Sequence, residues 1–233
     1  GFLYESNDRA EPDHNEATLS MSYLKFDRRL MANLDESTQR EYIRTNRKGA
    51  YCCSSIVGCN TRKYHGVLVI PVPELSENNH VLLSSLDLTI VQHGVPFNVG
   101  IHEYEGDIFS PKGHKYIREY NVDIASSTTY RVGGVVLQKE FLFCHYTNRM
   151  LQRYTLLEAH SRTTLRLSPF LAFRDVKMLT HRNDQYHGDY GQAKSGVTFC
   201  LYPGYPTLYL QLSKAHNFVS DPHWNERIEY IKE

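Results

Sequence analysis

The 233 residues carry 26 basic and 26 acidic side chains, so the formal charge is zero, and 41% of the residues are hydrophobic. That length permits one large β domain with a core that needs no disulfide or metal staple. The balanced charge argues against nucleic acid, which requires a basic excess or stripe, and no apolar run approaches the ~18 residues of a membrane span.

Cys52, Cys53, Cys59, Cys144 and Cys200 are odd in number and lack a repeated CxxC spacing. They read as buried thiols in a reducing compartment, and the chain as cytoplasmic. In chain order, residues 1–20 read as a polar extension. Met21 opens the first patterned stretch and reads as a natural start, because Gly1 resembles a tag scar or an excised end. Residues 30–42 are ambiguous, with Leu34, Asp35 and Ser37 placed to cap a short helix. Residues 41–55 read as strand, Gly49 turn, strand. A turn at residues 58–60 then leads into the apolar run 67–70.

His93-Gly94 joins strands 81–92 and 95–104, and Gly133-Gly134 joins 128–132 and 135–143, since paired turn residues supply the positive φ that tight hairpins require. Along 135–143 the odd positions Val135, Leu137, Phe141 and Phe143 form an apolar face. Strands over 150–158 and 163–173 follow, and Pro203-Gly204 turns the chain before 207–212. Short alternating strands with almost no helical period indicate an all-β, antiparallel β-sandwich, with residues 21–233 forming a single domain.

The segment 41–73 adds a specific pattern. Glu41, Thr45, Asn46, Gly49 and Tyr51 precede Gly58 and the run Asn60-Thr61-Arg62-Lys63-Tyr64-His65-Gly66. It resembles the N-terminal domain of prokaryotic-type glycogen-debranching enzymes, the amylo-α-1,6-glucosidase group. Residues 83–87 and 167–175, ending in Arg174 and Asp175, resemble later segments of the same domain in the same order. Arg47 and Ala50 depart from it, standing where the family has glycine. A loop requiring positive φ at Ala50 would be strained.

The resemblance implies a supersandwich related to the mutarotase-like fold. It also implies a partner, a C-terminal α/α toroid that carries the general acid and base and hydrolyses α-1,6-linked glucose at branch points of glycogen or a similar branched α-glucan. This chain would then be the noncatalytic support of that toroid, with self-association left open. No catalytic residue, metal or cofactor is assigned to it.

Individual residues carry two readings each. His65 is either a general base or a neutral imidazole hydrogen-bonded at a strand end. Arg62 and Asp175 either pair with each other or face the toroid. Among the acids, Glu103, Glu105, Asp107 and the rest, no pair is marked out by its sequence surroundings. Tyr186, Tyr190, Tyr202, Tyr205 and Tyr209 cluster late in the chain. The first four are candidates for glucan contact, because a tyrosine ring offers an apolar face and a hydroxyl. They could equally be strand formers with one wet edge. A stand-alone carbohydrate-binding module and a mutarotase-like epimerase are the rival readings. The epimerase needs an imidazole facing a carboxylate across an open cleft.

Overall fold

The computed structural model describes residues 2–6, 23–214 and 216–232. Within them the chain is nearly all-β. It runs through β1 (Phe2–Ser6), β2 (Leu24–Asp27), two short helices α1 (Arg28–Ala32) and α2 (Leu34–Ser37), then β3 (Glu41–Thr45), β4 (Tyr51–Ser55), β5 (Gly66–Pro71) and β6 (Asn79–Gln92). Next come β7 (Val95–Asn98), β8 (His102–Tyr104), β9 (Ile108–Ser110), β10 (Ile117–Val122), β11 (Ser126–Val132) and β12 (Val135–Phe143). The last are β13 (Met150–Glu158), β14 (Thr163–Asp175), β15 (Gly191–Ala193), β16 (Gly196–Phe199), β17 (Leu208–Gln211) and β18 (Asn217–Phe218).

Two antiparallel sheets form the sandwich. One has eight strands in the order β18-β1-β14-β6-β5-β4-β3, with β7 paired to β6; the other has five, in the order β13-β12-β11-β10-β2. The core lies between them, where Leu82, Ile90 and Leu68 of the large sheet meet Leu137, Val135 and Tyr120 of the small one. The Tyr42 ring stands 4.9 Å from that of Phe141 and joins the layers. The odd face of β12 is the buried one, as its alternation predicts.

Both glycine-marked hairpins are present, between β6 and β7 and between β11 and β12. The second strand after His93 is shorter than its sequence suggests: pairing stops at Asn98 and resumes as β8, which pairs with β9 instead. The ambiguous stretch forms two helical turns, capped by Asp27, whose Oδ1 accepts from the Leu30 amide, and by Asn33, whose Oδ1 accepts from Asp35. Asn33 lies one step upstream of the expected capping residues and Asp27 before the stretch altogether, because a cap must precede its helix to reach the free amides. Phe2–Ser6 pairs with β14, while Met21 lies outside the described residues. None of the described helices is long and apolar enough to cross a membrane.

Candidate functional site

The matched motif occupies one end of the large sheet, where the loop 56–65 returns to start β5. Its side chains first tie the loop to itself. Asn60 accepts from Ser54 Oγ at 2.7 Å and donates to the Ser84 carbonyl at 3.0 Å. Ser55 Oγ donates to the Cys59 carbonyl and accepts from its amide. The Tyr51 hydroxyl donates to the Tyr64 carbonyl at 2.9 Å. Gly66 is required sterically: a Cβ there would lie 2.9 Å from Val69 Cγ2 and 3.0 Å from Val81 Cγ1.

His65 is completely buried. Its Nδ1 accepts from the Thr61 amide at 3.0 Å, which places the ring proton on Nε2. Nε2 stands 2.8 Å from Glu41 Oε1, too oblique for a formed hydrogen bond. Burial drives the imidazole down to about 4, against the pull of the Glu41 charge. Arg62 Nε donates to the same Glu41 oxygen at 2.7 Å. Burial pushes the Glu41 carboxyl up, but the Arg62 bond and the charges of His65, Arg62 and Lys232 hold it below its ordinary value.

The motif is also tied to the end of the described chain. Arg62 Nη1 donates to the Lys232 carbonyl at 2.9 Å, and the Lys232 amide donates to the Thr61 carbonyl at 3.2 Å. Arg174, only 7% exposed, donates from Nη2 to the Lys63 carbonyl at 2.7 Å and the Tyr230 hydroxyl at 3.4 Å, and from Nη1 to the Met178 carbonyl. Upstream, residues 225–229 lie against β8. The Tyr104 hydroxyl donates to Asn225, the Glu105 amide to the Arg227 carbonyl, and the Glu229 amide to the Glu103 carbonyl.

Arg62 and Asp175 do not meet each other; Arg62 pairs with Glu41 instead. Asp175 accepts from Ser76 Oγ at 2.8 Å, Asn78 Nδ2 at 3.0 Å and the Lys177 amide at 2.9 Å. Burial alone would push its carboxyl up, but these bonds hold it below its ordinary value. Because Ser76 donates to Asp175, its oxygen accepts from His80 Nε2 at 3.0 Å, leaving Nδ1 for the Tyr205 hydroxyl at 2.7 Å. Asn46 organises the preceding turn: Oδ1 accepts from the Lys48 and Ala50 amides, and Nδ2 donates to Thr147 and Asn148. In that turn Gly49 takes φ +79°, while neither Arg47 nor Ala50 is among the positive-φ residues. The turn therefore accommodates both departures without strain.

The late tyrosines disperse. Tyr186 packs edge-on to Trp224, Tyr190 against Phe218, and Tyr202 accepts from Asn183. Of the four candidates for glucan contact, Tyr205 alone lines the large cleft, a volume of about 1450 Å³ between the β5–β6–β14 face and β13; the exposed Tyr209 also lines it. All five cysteines are free; burial pushes Cys52 and Cys59 up to about 12 and Cys53 up to about 11, which removes thiolate chemistry at neutral pH.

One pair of acids that sequence order conceals comes together. The Tyr104↔Ile228 bridge sets Glu103 opposite Glu229 and Glu105 opposite Arg227. No local signal could have found it, since the partners belong to distant segments.

A family model described as glycogen debranching enzyme N terminal matches residues 40–233. No curated protein and no solved structure matches the chain.

Proposed function

This chain belongs to the glycogen debranching enzyme N-terminal family, and on that premise we propose that it is the noncatalytic β domain of a cytoplasmic debranching glycoside hydrolase. Its role is to fasten the segment leading to a catalytic domain, which hydrolyses α-1,6-linked glucose at the branch points of glycogen. The observation that carries this reading is the destination of the motif's side chains. Arg62 ends on Glu41 and the Lys232 carbonyl, His65 on Thr61, and Arg174 on Lys63 and Tyr230. Groups engaged in this way anchor chain segments to one another; they do not present themselves to a sugar.

Glycoside hydrolysis in most families needs two carboxyl groups flanking one bond, one protonated and one ionised. Glu41 is held by Arg62 and Asp175 by three donors, so neither is disposed to transfer a proton. The epimerase reading needs an imidazole across an open cleft, and His65 is sealed against Glu41. Free thiols accord with a reducing cytoplasm. Glucan contact is a second element of the proposal, assigned to the cleft lined by Tyr205, Tyr209 and aliphatic side chains.

The test is the purified chain mixed with a separately expressed catalytic remainder, assayed for glucose release from a branched limit dextrin against each part alone. Activity restored only on mixing supports the anchoring role. Glucose release by the 233-residue chain alone would overturn it. Affinity electrophoresis in glycogen tests the cleft, where unretarded migration removes glucan contact.

A further inference from the structure

Glu103 is 1% exposed and lies opposite Glu229 across the short antiparallel contact between β8 and residues 227–229. Oε2 of each carboxylate is buried without a hydrogen-bond partner among the described residues. Like charges directly opposite on paired strands repel, and an ionised carboxylate oxygen left dry and unbonded is costly. Among the described residues, the surroundings do not neutralise the pair. Asp107 adds a negative charge from the following turn, and the nearby Cys59 thiol is uncharged. His102 on β8 is paired with Asp87 of β6, and Arg227 with Glu105. Lys232 is the cation felt by Glu103, yet its Nζ donates to the Thr38 carbonyl. One proton resolves the arrangement, since it turns two orphan acceptors into a donor and an acceptor.

We propose that Glu103 and Glu229 form a proton-operated latch: a proton held between their facing carboxylates fastens residues 225–232 to β8, and its loss to solvent loosens that segment. Burial, followed by the charges of Glu229 and Asp107, lifts the Glu103 carboxyl to about 7, so the latch works near neutrality. Its biological consequence rests on the reading of residues 225–232 as the route to a catalytic domain. The latch itself is a property of this chain and can be tested without any debranching assay.

The sign follows from linkage. The closed form keeps its proton up to about pH 7, whereas an open Glu103 ionises near its ordinary 4.5. Opening therefore releases a proton, and its equilibrium constant rises about tenfold per pH unit between those limits, then levels off. Hydrogen exchange of the amides of residues 225–232, corrected for intrinsic rate, reads this directly. Trp224, the sole tryptophan, packed on Tyr186, gives an independent emission signal at the start of the segment.

Wild type is expected to lose protection about tenfold per unit from pH 5 to 7, with Trp224 emission following the same curve. Glu103→Gln is expected to give a flat profile, because the amide supplies the bridging hydrogen at every pH. Should that variant fail to fold, Glu229→Gln, at the half-buried partner, serves in its place and is expected to level off at a lower pH than wild type, because the burial of Glu103 remains when the Glu229 charge is removed. A wild-type profile already flat over this range overturns the latch. So does an unchanged profile in whichever variant folds.

Discussion

The motif end of the large sheet and the late tyrosine region use polar side chains in opposite ways. At the motif end, Arg62, Asn60 and Arg174 donate to backbone carbonyls, His65 and Asp175 accept from backbone amides, and the imidazole is sealed from solvent. Among the late tyrosines, Tyr186, Tyr190 and Tyr202 each find a separate partner, Tyr205 reaches back to His80, and Tyr209 remains 60% exposed. The first region is a cooperative knot in which losing one group orphans others. The second is a set of nearly independent contacts. A polar motif at a strand entrance is thus better explained here as a structural fastening than as a set of ligands waiting for sugar.

The sharpest way to break that contrast is Arg174→Ala. It deprives the Lys63 and Met178 carbonyls of a charged donor, and we expect a loss of about 3 kcal/mol in urea unfolding. Gly66→Ala should follow at about 2 kcal/mol, because its new methyl overlaps Val69 and Val81 in a packed core.

His65→Gln should cost about 1 kcal/mol at neutral pH, with a pH signature. The folded imidazole titrates near 4 rather than 6.5, so its contribution is complete above about pH 6.5 and is lost as pH falls toward 4. The stability difference between wild type and variant should narrow and then reverse over that interval, because the linkage exceeds the cost at neutral pH. Glu103 acts with the opposite sign over 4.5 to 7, since its raised carboxyl favours the fold at low pH. The two slopes offset each other in the wild-type curve, so each must be read by difference from its own variant. Tyr209→Ser should fall within about 0.5 kcal/mol, as an isolated exposed side chain does. An effect there as large as that of Arg174→Ala would erase the distinction between the two regions.

Much of the sandwich was legible because it is written in local pattern. The apolar odd face of β12, the glycine pairs at its hairpin and the nine alternating residues of β13 each report a backbone state that their neighbours alone dictate. The matched motif was equally local, and its residues do lie together. Their roles were not legible, since Glu41, Tyr230 and Lys232 come to Arg62, Arg174 and Thr61 from remote segments.

Arg174 shows the limit most clearly. Strict alternation would put it on the face opposite Phe173, yet both are buried. The register with β6 shifts between Leu171 and Arg174, and Phe173 takes φ +47°. The extra residue of β14 across this bulge re-aims the side chain, and only its pairing with β6 reveals it. Sequence by itself determined the all-β antiparallel class, the principal hairpins and the family-bearing motif, because each depends on short-range conformational preference. Only the tertiary structure decided that His65 is sealed, that Arg62 holds Glu41 rather than Asp175, and that Glu103 faces Glu229, because burial and charge pairing are set by segments that meet only after the chain folds.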